Sequence, residues 1–111
     1  MSPLTMAELR TAQAGSGRLS EKAFGQQLYD LARLLGWLVV RFPTWQRTGA
    51  TPGFPDILGV RRGRVLFAEL KAEDGKLTPA QRKWLWALAE AGAETYLFKP
   101  SSWPQIEQVL R

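Results

Sequence analysis

Apolar residues recur at helical spacing over residues 20–35, where Phe24, Leu28, Leu31 and Leu35 stand four, three and four apart and form one face. Ser20 precedes the run as an N-cap, the acidic Glu21 lies in the first turn, and Gly36 follows as a left-handed C-cap. The period then changes. Residues 37–42, Trp-Leu-Val-Val-Arg-Phe, are rich in β-branched and aromatic side chains and predict a strand stopped by Pro43. Residues 44–55 carry Gly49, Pro52, Gly53 and Pro55 with Trp45, Gln46 and Arg47 near the start, and predict a loop long for a small domain. Residues 56–60 and 65–71 are short apolar strands on either side of the basic turn Arg61-Arg62-Gly63-Arg64, which reads as a hairpin.

Past a charged turn at 72–77, Thr78 caps a second helix, with Pro79 at its first position and Gln81 three residues after the cap. Trp84, Leu85, Leu88 and Ala89 are its expected buried face, and Gly92 its end. Residues 94–98 predict a fourth strand stopped by Pro100, and Ser101 or Ser102 caps a last short helix through Ile106, Val109 and Leu110. The order α-β-β-β-α-β-α predicts a small α/β sandwich, and the crossover between the third and fourth strands implies that they pair in parallel. Residues 1–19 read as a flexible or short helical lead, and residues 20–111 as the domain.

Composition narrows the chemistry. With 111 residues and 45% hydrophobic content, one domain with one core is expected. The longest apolar stretch, residues 34–40 around one Gly, falls far short of the ~20 residues of a membrane span. No basic region followed by an apolar run opens the chain, so no signal peptide is read and a cytoplasmic location is expected. Cys and His are both absent, which excludes a Cys/His zinc site, a disulfide scaffold and a Ser-His-Asp relay. Carboxylates, Lys, Arg, Tyr, hydroxyls or a hard metal ion held by oxygen remain. The net charge of +5 favours an anionic partner, nucleic acid before anionic membrane.

Glu69 and Lys71 stand two apart on the third strand and share a face with Val65 and Phe67, while Leu66, Ala68 and Leu70 face the other way. Apolar residues on both faces mark this strand as central. It ends in two charges, either leaving the core as a solvent pair or meeting a partner. Asp56 opens the neighbouring hairpin strand and should approach Glu69. Two adjacent carboxylates repel unless a cation lies between them, and Mg²⁺ or Mn²⁺ suits an all-oxygen site. Each residue also has a plainer role: Asp56 as a cap on loop N–H groups, Glu21 as a partner of the helix dipole, Gln81 as half of a capping box.

Pro55-Asp56 followed by Glu69-Leu70-Lys71 on the next strand resembles the signature of the PD-(D/E)xK nuclease superfamily, and the wording is closest to its VRR-NUC branch. The segment Gly49-Ala50-Thr51-Pro52-Gly53-Phe54-Pro55-Asp56 is similar to that family's Gly-rich lead into an Asp. Residues 67–81, from Phe67-Ala68-Glu69 to Thr78-Pro79-Ala80-Gln81, resemble its catalytic strand, turn and Gln-bearing helix. Ser20-Glu21-Lys22-Ala23-Phe24 with Gln27 resembles its first helix, and Ala91-Gly92-Ala93-Glu94 with Pro100-Ser101-Ser102-Trp103 its closing strand and helix.

The resemblance implies a restriction-endonuclease-like mixed sheet flanked by helices, and metal-dependent hydrolysis of phosphodiester bonds in DNA. Asp56, Glu69 and the backbone carbonyl of Leu70 would hold Mg²⁺ or Mn²⁺, with Glu21 joining directly or through water. Lys71 would orient or deprotonate the attacking water, and Gln81 would position water or Lys71. A DNA-binding surface is expected from Arg47, Arg61, Arg62, Arg64, Lys76, Arg82 and Lys83 flanking the acidic site, through sequence-independent phosphate contacts. Small stand-alone members, many of them phage-encoded, resemble enzymes that resolve four-way (Holliday) junctions as homodimers, as in DNA repair. A branched DNA substrate and a homodimer are therefore expected. Two other readings stay open here: an inactive binding module of the same fold, and an unrelated basic RNA-binding domain.

Overall fold

The computed structural model describes residues 19–42 and 51–111. Nearly all of the expected lead (residues 1–18) and residues 43–50, with Trp45, Gln46 and Arg47, lie outside the described residues. The elements follow the expected order: α1 (Glu21–Leu34), β1 (Leu38–Arg41), β2 (Ile57–Arg61), β3 (Arg64–Leu70), α2 (Pro79–Glu90), β4 (Glu94–Phe98), a 3₁₀ turn (Pro100–Ser102) and α3 (Trp103–Leu110). The local signals act as expected. Ser20 Oγ accepts from the Ala23 N–H at 3.1 Å to start α1, and Gly36 follows the helix at a φ of +90°. Ser102 differs: its hydroxyl accepts from the Lys99 N–H at 3.0 Å and so closes the 3₁₀ turn behind it instead of capping α3 ahead.

The four strands form one mixed sheet in the order β1-β2-β3-β4, antiparallel across the first three and parallel between β3 and β4. β3 is thus central. Strand alternation sends Ile57, Leu66, Ala68, Leu70 and Phe98 to one face, where Phe24, Leu28 and Leu31 of α1 and Trp103, Ile106 and Leu110 of α3 complete the core with Trp37. On the opposite face α2 rests on β3 and β4. It does so shallowly: none of its residues is fully buried, and Trp84, Leu85 and Leu88 are half-buried. Ala89 is exposed, contrary to expectation, because one side of the helix meets two strands and no second layer lies outside it. A smaller aromatic cluster fills the space beneath. Phe54 meets Phe42, Phe67 and Trp84 edge-on at centroid distances of 5.2, 6.0 and 5.0 Å.

Candidate active site

Residues 51–55, which lead into β2, are held by close backbone packing. Gly53 has a φ of +85°, and a Cβ there would stand 2.6 Å from the Ala80 carbonyl oxygen. Only glycine lets the loop lie flat on the first turn of α2. Phe54 then enters the aromatic cluster and Pro55 is buried, which delivers Asp56 to the head of β2. The Asp56 carbonyl accepts from the Phe42 N–H at 2.8 Å, extending the β1–β2 ladder by one step.

Register places the second carboxylate. Ile57 pairs with Ala68, so the next step sets Asp56 opposite Glu69. Both are buried, at 6% and 1% exposure, and they are the buried charged residues among those described. Asp56 Oδ2 accepts from the Leu70 N–H at 2.8 Å, and Glu69 Oε1 accepts from Gln81 Nε2 at 2.7 Å. Gln81 has no choice of orientation. Its own Oε1 accepts from the Thr78 N–H at 2.8 Å while Thr78 Oγ1 accepts from the Gln81 N–H at 3.2 Å, so the capping box turns the NH₂ group toward Glu69. One amide serves both the helix start and the site.

Lys71 follows on the same face as Glu69 and is half-buried. Its N–H donates to the Phe98 carbonyl at 3.0 Å, and its stem lies along Gly75, where a Cβ would come within 3.1 Å of the Lys71 Cβ. Glu21 is exposed in the first turn of α1. Near it, Arg41 donates from Nη2 to the Lys22 carbonyl at 3.1 Å and lies over Gly25, which ties the end of β1 to that turn. Lys76, Arg82 and Lys83 are exposed on the turn before α2 and in its first turns, at the carboxylate end of the sheet.

The three arginines of the hairpin turn do not flank the carboxylates. A hairpin puts its turn at the end opposite its open strand ends, so Arg61 lies five residues, about 16 Å, from Asp56 along β2. Arg62 is exposed there, while Arg61 and Arg64 are structural. Arg61 Nη1 donates to the carbonyls of Leu35 and Leu110 at 2.8 and 3.0 Å, and Nη2 to that of Arg111. Trp37 Nε1 donates to the Leu110 carbonyl at 2.9 Å, and both guanidinium groups stack on the Trp37 ring at 4.9 Å. Arg64 also grips Glu94 with two hydrogen bonds of 2.7 Å. Arg64 first, then the Tyr96 hydroxyl, holds the Glu94 carboxyl down at about 2; burial first, then Glu94, pushes Tyr96 up to about 12.

Residues 27–100 match the sequence model of the VRR-NUC domain. The chain belongs to the VRR-NUC family. A solved structure titled "VRR_NUC domain" superposes with a TM-score of 0.63 at 25% identity, covering 81% of this chain and 92% of that one. A second, "VRR_NUC domain protein", gives 0.60 at 22% identity over 74% and 78% of the two chains. No functionally curated protein matches. The sheet order and flanking helices are those of this VRR-NUC fold, and the family is a nuclease family.

In this VRR-NUC domain the pair Asp56 and Glu69 fits a hard divalent cation. No group of three or more Asp, Glu, His or Cys gathers around a common point among the described residues. Mg²⁺ needs only one or two protein carboxylates, since it keeps several waters and takes substrate oxygens. The sequence places Gly53 and Phe54 only within the lead into Asp56 and leaves the role of Arg41 open; the structure gives them their packing roles beside the carboxylates. The Gly-Phe-Pro lead was the available signal for the first two; Arg41 carried none, because its role depends on which helix lies across β1.

Proposed function

We propose that this domain is a Mg²⁺- or Mn²⁺-dependent endonuclease that hydrolyses phosphodiester bonds in DNA and selects branched structures such as four-way junctions. The observation that carries it is the buried Asp56–Glu69 pair at adjacent strand ends, with Lys71 next on the same face. Two buried carboxylates on adjacent strand ends offer the oxygen donors that a hard divalent cation takes. Asp56, Glu69 and the Leu70 carbonyl would hold the ion, with Glu21 reaching it through water. Bound there, Mg²⁺ or Mn²⁺ supplies Lewis-acid stabilisation of the charge that develops on the phosphate.

The chain's own groups do the rest. The Lys71 ammonium orients the attacking water and offsets negative charge in the transition state. Gln81 keeps Glu69 turned inward through its 2.7 Å hydrogen bond. Lys76, Arg82 and Lys83 bind phosphates on either side of the scissile bond without reading bases. Symmetric cuts on a four-way junction require two sites, so the working unit is a homodimer. No helix among the described residues is long and apolar enough to cross a membrane.

The test is cleavage of four-way junction, flap, single-stranded and duplex DNA with Mg²⁺ or Mn²⁺, beside EDTA and Lys71→Ala controls. Cleavage that needs metal and Lys71, and prefers branched DNA, is expected. Undiminished cleavage by Lys71→Ala overturns the site, and no cleavage of any substrate leaves a binding module. A monomer by sedimentation with full junction cleavage removes the homodimer.

A further inference from the structure

Helix α2 carries more apolar surface than the sheet uses. Trp84, Leu85 and Leu88 face the strands, yet Trp86 is 71% exposed. Its Nε1–H donates to Glu90 Oε1 at 2.6 Å, which satisfies the one polar atom of the indole and holds the ring across the outer helix surface. Arg82 and Lys83, four and three residues earlier, are exposed on that same surface. Together with Glu90 and with Thr95 of β4 they line an open groove of about 640 Å³. Two cations thus flank the ring, and the single carboxylate is engaged by the indole itself.

We propose that Trp86 is a stacking platform for an unpaired base of the DNA strand whose phosphate meets the carboxylates. The proposal rests on the nuclease reading and adds what the enzyme grips beside the cut. A fixed aromatic face with basic neighbours suits a single strand, because every base has a face to stack and every nucleotide a phosphate to pair. Position agrees. Gln81, which touches Glu69, lies five residues before Trp86, about 7.5 Å along the helix axis and about 140° around it, so a strand joining the two sites crosses the edge of α2 over several nucleotides. A base inside a duplex keeps its faces covered, so the platform favours flaps and open junction arms over blunt duplex. The groove is otherwise lined by apolar residues such as Leu77, Pro79 and Leu85, and its two cations against one carboxylate favour a polyanion over a second copy of the chain, which would bring the same cations with it.

Binding to labelled single-stranded, flap and blunt duplex DNA in EDTA, where nothing is cut, tests this with wild type, Trp86→Ala and Trp86→Phe. Trp86→Ala should weaken binding to single-stranded and flap DNA by about tenfold, with Trp86→Phe recovering most of the loss and duplex binding unchanged. Unchanged affinity of Trp86→Ala for unpaired DNA overturns the platform, as does an equal loss on blunt duplex. A loss that accompanies a change of oligomeric state in sedimentation overturns it too, and assigns the ring to a protein interface. Failure of the nuclease reading shows separately: a wild-type chain that grips unpaired DNA through Trp86 but cuts no substrate with Mg²⁺ or Mn²⁺ is a binding module that keeps the platform.

Discussion

At the hairpin end of the sheet, Arg61 gives its guanidinium to the carbonyls of Leu35, Leu110 and Arg111, and Arg64 closes on Glu94. At the other end, on the same two strands, Asp56 and Glu69 are buried side by side with charges of one sign, and the neutral Leu70 N–H and Gln81 NH₂ are among their partners. The first arrangement lowers the energy of the folded chain, since each cation meets opposite partial or full charge. The second gathers two carboxylates of the kind a hard cation takes. The sheet therefore sets its best-paired charges and its two buried carboxylates about five residues of strand apart.

The comparison breaks most visibly at the carboxylate end. Glu69→Gln or Lys71→Ala should lower cleavage by at least about a hundredfold while leaving the melting temperature unchanged or slightly raised. Paired kinetics and thermal melts check this, and a large loss of stability in Glu69→Gln would make the pair structural. Arg61→Ala should do the reverse. Loss of its charged hydrogen bonds to helix-end carbonyls costs about 2–3 kcal/mol in urea unfolding, with cleavage per folded molecule unaltered.

Gly53→Ala sharpens the boundary, because it sits on the site side but acts through backbone. The clash with Ala80 and the positive φ predict a cost of about 1–3 kcal/mol together with a fall in kcat as Asp56 shifts. A stability loss alone would remove the loop from the site. The smallest effect concerns pH. Glu94 titrates at about 2 in the fold against an ordinary 4.5, so the folded state binds its proton less readily than the unfolded chain. Its stabilisation is complete above 4.5 and disappears as pH falls toward 2. Both Arg64 and Glu94 are about one-third exposed, so solvent screening keeps the contribution modest. Glu94→Gln should flatten the acid limb of the stability curve over that window, measured by urea midpoints.

Much of this was legible in the residues. Strand alternation and one hairpin turn are enough to bring Asp56 opposite Glu69, because register is local arithmetic once the turn is placed. The Thr78 and Gln81 capping box was equally readable, since it spans three residues. What escaped is long-range. Arg61 and Arg64 look like phosphate ligands in a list of charges, and only the packing of α3 against the hairpin end shows carbonyls waiting for Arg61. Ala89 has the right spacing for a buried face, but spacing cannot say how deep a helix sits. Residues 43–50 lie outside the described residues, so Arg47 keeps only its sequence-based expectation.

The side-chain amide of Gln81 has a consequence for how this domain tolerates change. Its oxygen belongs to the start of α2 and its nitrogen to Glu69, so the phase of the helix and the aim of a buried β3 carboxylate are one variable. Inserting a single residue between Thr78 and Gln81 would rotate the amide by about 100° around the helix axis and separate the two tasks. Length variation in such a domain should therefore accumulate in the turn at 72–77, ahead of the Thr, and be scarce in the three residues after it.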